Sequence, residues 1–461
     1  MRSLLLVAAL ALAACATPSP RGEQASKTVE TPAATPVPGA PHFLEDDYPG
    51  ALAEAKAAHK PLFVDAWAPW CHTCLSMRAY VLSDPALAKV ADRFVWLAIN
   101  TELPKNQAFV DHFPIDNWPS LFVIDPSTGQ PLRKWLGSAT VPELLARLEE
   151  VDEAFARGET QASSAQADAA LAKAGALDGK GDHAGALEAY REALKQAPAT
   201  WAQRPQAIEG VAFGLQAAGK NEACVQLALK EVEVLPKGTP LANVAETGLM
   251  CALELPKDHP LAAKEPLLDQ KVAALAQDAS VPLLADDRSG LYDTLVSARE
   301  AKGDTAGMKA AARAWRDFLD GEAAKAKTPA ARAVFDSHRL GADLALGEPA
   351  AAIPMLEQTE RDLPQDYNAP ARLALVYLEL KQPQKALDAS KRAEGRVYGP
   401  RTLSVLLNEA KAYVQLGQPD KAAQVFDHAT SFASSLSEAQ NGPRLKARVE
   451  KVRAQVLSAK Q

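Results

Sequence analysis

Hydrophobic and polar positions divide the chain into four regimes. Residues Leu4 to Ala14 are continuously apolar, and residues 16–41 carry almost no large apolar side chain. Residues 42–158 alternate short apolar runs with amphipathic stretches, and from about residue 163 apolar positions recur at helical spacing. In the third regime the pattern predicts a helix over Ala51 to Lys60, a strand over Leu62 to Trp67 and a helix after Cys74. Strands over Phe94 to Asn100 and Leu121 to Asp125 follow, then a turn at Gly129, a further strand and a helix over Val141 to Phe155. Strands that alternate with helices and close on a hairpin read as a small α/β sandwich. Five of the seven tryptophans lie in this stretch, which marks it as a separate domain, 42–158. The fourth regime, 163–461, is Ala- and Leu-rich without a convincing strand and reads as all-α.

Composition narrows the function classes. The 461 residues leave room for two to four domains, and 48% hydrophobic with 23% charged residues is ordinary for a chain with a real core. The one long apolar run is N-terminal, so a polytopic membrane protein is excluded. A net charge of −7 offers no electrostatic footprint for nucleic acid or a polybasic membrane surface. Five cysteines are too few for a disulfide scaffold, so each is read by its position.

The first cysteine follows the apolar run. Residues 1–14 have the charge and length of an export signal, and Leu12-Ala13-Ala14-Cys15 resembles the bacterial lipobox. That resemblance implies cleavage before Cys15, its lipidation, and a place on the periplasmic face of the envelope. Ala16 in place of aspartate favours the outer membrane over the inner. Residues 15–41 hold six prolines and cannot bury enough apolar surface to fold. Extended at about 3.1 Å per residue, such a tether would reach on the order of 80 Å, the membrane being touched only through lipid.

The next two cysteines carry chemistry. Val64-Asp65-Ala66-Trp67-Ala68-Pro69-Trp70-Cys71-His72-Thr73-Cys74 resembles the thioredoxin active-site strand and helix start. Trp118-Pro119-Ser120 stands where thioredoxins carry a cis-proline, and Gly137 lies on the last strand. Lys60-Pro61-Leu62 and Ser83-Asp84-Pro85 look most like the periplasmic C-terminal domain of the DsbD family. A cysteine at the first turn of a helix meets unpaired N–H groups and the positive dipole end, which stabilise a thiolate. Cys71 is therefore the expected nucleophile and Cys74, one turn on, the resolving thiol. The resemblance implies that Asp65 shuttles the Cys74 proton and that Pro119 helps align substrate, with Trp70 and Trp118 flanking the groove. Trp67 reads as core. Thioredoxins pair this aspartate with a lysine on the neighbouring strand, but Arg93 to Asn100 contains none, which leaves the tuning of Asp65 open. His72 and Thr73 replace the Gly-Pro dipeptide. His72 is expected to add positive charge near the Cys71 sulfur, favour the reduced form and make the couple less reducing than thioredoxin. Apart from a redox-active disulfide no cofactor is expected. No metal is expected either, since His42, His59, His72 and His112 fall at no ligand spacing.

An internal repeat organises the helical region. Gly181, Ala186 and Pro198 recur as Gly219, Cys224 and Pro236, and as Gly347, Ala352 and Pro364. This resembles the tetratricopeptide repeat, with turns at 181, 219, 303, 347, 381 and 417 and one degenerate repeat in the long gap. The fold class is thus multidomain, an α/β thioredoxin fold followed by an all-α tetratricopeptide-like solenoid. Such arrays leave a concave face that takes peptides or proteins, the alternative being an array that serves only as a spacer. Cys224 and Cys251 lie opposite each other across a hairpin turning near Lys237. They either form a disulfide in an oxidising compartment or stand as two small buried apolar residues. The expected activity is thiol-disulfide exchange on protein thiols and disulfides with a separate redox partner, the repeats recruiting a protein or peptide ligand. The alternative is a non-enzymatic scaffold lipoprotein with a spectator or partner-trapping redox domain.

Overall fold

A computed structural model describes residues 40–458 apart from 114, 116, 157–164, 179–181, 199 and 437–442. The export signal, Cys15, most of the tether, Gly181 and the junction between the two domains lie outside the described residues. The described residues form one compact unit. Among the described residues no helix is long and apolar enough to cross a membrane.

The N-terminal domain is built on a five-stranded sheet of order β1-β3-β2-β4-β5. Its elements are β1 (Phe43–Glu45), α1 (Tyr48–Ala58), β2 (Leu62–Trp67), α2 (His72–Tyr80), β3 (Val95–Asn100), α3 (Gln107–His112), β4 (Ser120–Ile124), β5 (Pro131–Leu136) and α4 (Val141–Ala156). β1 and β2 run parallel to β3, while β4 is antiparallel to both β2 and β5. Every residue of β2 and β3 is buried because helices cover both faces. Leu62, Val64 and Ala66 pack with Ala51 and Ala55 of α1 and Phe109 of α3. The alternate position Phe63 packs with Met77 of α2 and Leu144 and Leu148 of α4. By the two-residue period of a strand, Asp65 and Trp67 share that second face. The sequence pattern predicts neither the strand β1 nor the short helix α3, since three and six residues carry too little periodicity to register.

Helical hairpins follow. They are α5 (Ala165–Asp178) with α6 (His183–Gln196), α7 (Arg204–Ala217) with α8 (Asn221–Glu231), α9 (Thr239–Leu253) with α10 (Glu265–Gln277) and α11 (Ala285–Ala301) with α12 (Thr305–Lys325). After the short α13 (Pro329–Ala333) come α14 (Asp336–Leu346) with α15 (Ile353–Asp362), α16 (Asn368–Glu379) with α17 (Pro383–Glu394), α18 (Arg401–Gln415) with α19 (Pro419–Ser435), and a final α20 (Pro443–Ser458). The turns fall at the expected positions: Gly219, Gly303, Gly347 and Gly417 have φ between 64° and 78°, and Lys381 takes 55° without a glycine. The degenerate repeat of the long gap is the α9–α10 hairpin, whose helices are separated by residues 254–264.

The first helix of each hairpin, rather than facing open solvent, meets the N-terminal domain. Asp168 of α5 reaches Arg133 of β5 at 3.5 Å. The α7 carboxylate Glu209 interacts with Arg147 of α4, and Gly238, just before α9, lies against Glu143 of α4. At the start of α11, Asp287 accepts from Ser138 Oγ at 2.8 Å. Tyr80 of α2 donates to the Ala331 carbonyl in α13 at 3.0 Å. Gly399, at φ 61°, brings the turn before α18 so near Glu102 that a Cβ would lie 2.8 Å from its carbonyl oxygen. The side of the array formed by these first helices is lined by the chain's own N-terminal domain.

Candidate functional site

Cys71 and Cys74 form a disulfide with Cα atoms 5.2 Å apart. Cys71 is the N-cap of α2, in extended backbone conformation, and its sulfur accepts from the Cys74 N–H at 3.0 Å. The sulfur thus occupies the place of an N-cap oxygen, where the orphan N–H groups and helix dipole favour negative charge. Cys71 keeps 5% exposure and Cys74 none. The Trp118–Pro119 bond is cis. The Trp70 and Trp118 rings stand 5.2 Å apart, and Trp118 donates from Nε1 to Thr101 at 2.8 Å. Trp67 is buried among Ala68, Cys71, Cys74 and Ala98.

Asp65 is fully buried, with no hydrogen-bond partner for either carboxyl oxygen among the described residues. Burial pushes its pKa up to about 7, a rise that Arg78 opposes and Glu45 reinforces. Arg78 fills the role for which no lysine was found on β3. It lies one turn beyond Cys74 on α2, its Nη1 is 3.7 Å from Asp65 Oδ2, and its Nη2 donates to Glu45 Oε1 at 2.9 Å. Its guanidinium stacks 4.3 Å from the Trp67 ring centroid. The cation comes from the helix rather than the strand, and its spacing of four from Cys74 was the available signal.

The helical array completes the surroundings. His72 Nδ1 donates to the Asp286 carboxylate at 2.8 Å, and Thr73 Oγ1 donates to the same group at 2.8 Å. His72 Nε2 meets His338 Nε2 at 3.1 Å. Behind it Ser289 Oγ bonds His338 Nδ1 at 2.6 Å and accepts from Trp315 Nε1 at 2.6 Å. Burial, followed by the charge of His72, pushes His338 down to about 4, so this ring is neutral. For Asp286 burial acts upward, but the hydrogen bond and charge of His72 outweigh it and hold the carboxyl below its ordinary range. Any positive charge on His72 is therefore paired with an ionised carboxylate. Around the other flank, Asn368 Nδ2 donates to the Pro69 carbonyl at 3.0 Å. The Arg401 guanidinium lies 4.1 Å from the Trp70 ring centroid.

His72, Asp286 and His338 are residue types that ligate metals, and their donor atoms lie within 4.8 Å of one another. The sequence expectation of no metal rests on the spacing of His42, His59, His72 and His112, whereas Asp286 and His338 stand 214 and 266 residues from His72. Each of the three side chains is already engaged by hydrogen bonds. Far from this site, Cys224 of α8 and Cys251 of α9 are joined in a second disulfide, Cα 6.2 Å apart and both wholly buried.

Residues 44–126 match the thioredoxin-like family, and residues 403–435 match the tetratricopeptide repeat. The chain is 32% identical over 77 residues to the thiol:disulfide interchange protein DsbD of Neisseria meningitidis serogroup A. That stretch is 16% of this chain and 13% of the relative. DsbD of Pseudoalteromonas atlantica is 32% identical over 82 residues, 17% of this chain and 14% of that protein. The chain thus aligns with only about an eighth of these relatives' length. A tetratricopeptide repeat protein from Parabacteroides merdae superposes over 64% of this chain and all of its own, at 12% identity and a TM-score of 0.39.

Proposed function

We propose that this chain, a thioredoxin-like domain fused to a tetratricopeptide-like helical array, is an exported, lipid-anchored thiol-disulfide oxidoreductase. The observation that carries the reading is Cys71 at the N-cap of α2, bonded to Cys74, with the buried Asp65 on the adjoining strand face. Acting as a reductant, the Cys71 thiolate attacks one sulfur of a substrate disulfide and forms a mixed disulfide, and the first substrate thiolate leaves. Asp65 accepts the Cys74 proton, and the Cys74 thiolate attacks the Cys71 sulfur. The Cys71–Cys74 bond forms, the second substrate thiolate leaves and takes back the proton held by Asp65, the first is protonated from solvent, and both substrate sulfurs end as thiols. Two electrons pass from the dithiol to the substrate, and an external dithiol reductant restores the reduced state. Run backwards, the same steps oxidise a substrate dithiol.

Export and lipidation rest on Met1 to Cys15, and the outer membrane is favoured by Ala16. Recruitment of a protein partner by the array falls to the outer row of helices, or to a form in which the two domains separate. The low exposure of Cys71 favours a second reading, a scaffold that keeps its redox domain silent. Redox titration of the full chain separates the two. The oxidoreductase has a reversible two-electron couple and turnover that Cys71→Ala abolishes, and the absence of both leaves the scaffold.

A further inference from the structure

The four residues that bracket Cys71 are all held by the helical array. Pro69 is bonded by Asn368, at the start of α16, and Trp70 lies under Arg401, at the start of α18. On the other side His72 and Thr73 are bonded by Asp286 of α11, and His72 also meets His338 of α14. These contacts are set into the array. Asp286 and Asn368 are buried, and His338 is backed by the Ser289–Trp315 chain. Cys71, in their midst, keeps 5% exposure.

Thiol-disulfide exchange needs the substrate sulfur in direct contact with the attacking sulfur, so access limits the reaction as strongly as thiolate character does. We infer that the array is a size gate on the dithiol, with Asp286, His338, Asn368 and Arg401 as its specificity-determining residues. It admits low-molecular-weight disulfides to Cys71 and turns away disulfides on folded proteins. The inference rests on the oxidoreductase reading for its substrates, while the gate itself is a property of access. A small disulfide needs only an opening of its own width beside Cys71. A disulfide embedded in a protein surface brings neighbouring chain with it, which would have to displace the starts of α11, α16 and α18.

The test uses the full chain carrying Cys15→Ala and Cys74→Ala, in which Cys71 is the one free thiol while Cys224 and Cys251 stay bonded. Its alkylation is timed with N-ethylmaleimide and with a 5 kDa polyethylene-glycol maleimide. The gate requires the small reagent to react more than about 100-fold faster than the large one, a preference that vanishes on denaturation. Asp286→Ala and, from a different helix, Asn368→Ala should each cut this ratio at least tenfold. Asp286→Asn, which still offers an acceptor to His72, should hold it within about threefold. Equal rates for the two reagents, or a ratio that no variant moves, would overturn the gate. Turnover is read separately with Cys74 restored, using hydroxyethyl disulfide and insulin under dithiothreitol. The gate predicts a rise in insulin relative to hydroxyethyl disulfide in Asp286→Ala. No turnover of either substrate in any form sinks the oxidoreductase reading, whereas the alkylation ratio decides the gate alone.

Discussion

The chain holds two disulfides whose surroundings differ in almost every respect. Cys71–Cys74 spans three residues at the start of one helix, whereas Cys224–Cys251 ties two helices across 27 residues. The first sulfur lies among helix N–H groups and keeps a sliver of solvent access, and the buried Asp65 carboxyl on the adjoining strand accepts no hydrogen bond among the described residues. The second pair is sealed in apolar packing, with the Thr247 carbonyl 3.7 Å from Cys224 Sγ. A thiolate would be stabilised at the first site and starved of solvation at the second. A short ring restricts the unfolded chain little, and a 27-residue one restricts it appreciably. The same bond therefore serves chemistry in one domain and stability in the other.

The largest expected effect breaks the first bond alone. Cys71→Ala should lower the rate of disulfide reduction roughly 10³-fold or more with little change in melting temperature. Cys224→Ala with Cys251→Ala should keep that rate within about twofold. Comparable rate losses in the two would erase the division of labour. Asp65→Asn comes next, since only the first disulfide has an acid behind it. At pH 8 the release of the second substrate thiol should slow about 10- to 100-fold, and the deficit should shrink below pH 7, where wild-type Asp65 is itself protonated. Stability moves the other way. The folded pKa of about 7 lies above the ordinary 3.8, so wild type loses stability as pH rises from about 4 to 7 and the loss is complete above that. At about 1.4 kcal/mol per unit, Asp65→Asn should be up to roughly 4 kcal/mol the more stable at pH 8 and equal to wild type at pH 3. Urea melts at the two pH values check this. The double alanine at Cys224 and Cys251 should cost about 3.5 kcal/mol in the same melts, from loop entropy. A cost near zero would make that bond incidental.

Local features of this comparison were legible in the chain and convergent ones were not. The strand Leu62 to Trp67, the CxxC helix and the repeat turns could be read because each depends on residues a few positions apart. The facing of Cys224 and Cys251 followed from hairpin symmetry. Arg78 is not marked by the family pattern, which places the cation beside Asp65 on β3, although a side chain four residues past Cys74 rises along the same helix face. Asp286 and Asp287 stand in the first turn of α11, where acids suit the helix dipole whatever else they touch. Their reach to His72 and Ser138 depends on an array that folds back on its own domain, and no local pattern encodes that.

Arg78 provides the smallest and sharpest test. It is the one cation among the groups that shift Asp65, opposed by burial and by Glu45. A guanidinium 3.7 Å from the carboxylate, on a side chain with 24% exposure, acts at the weak end of the range for a close ion pair. Arg78→Gln should then raise the Asp65 pKa further and move the acid limb of second-thiol release upward by about one pH unit. The plateau rate at high pH should persist, because the carboxylate still forms there. The stability lost above neutrality should deepen, because ionising Asp65 becomes harder in the folded state and no easier in the unfolded one. Neither change should reach the Cys224–Cys251 bond, whose reduction by dithiothreitol is the internal control. An acid limb that stays in place would mean that burial alone sets Asp65 and that Arg78 serves only to tie α2 to β1 through Glu45.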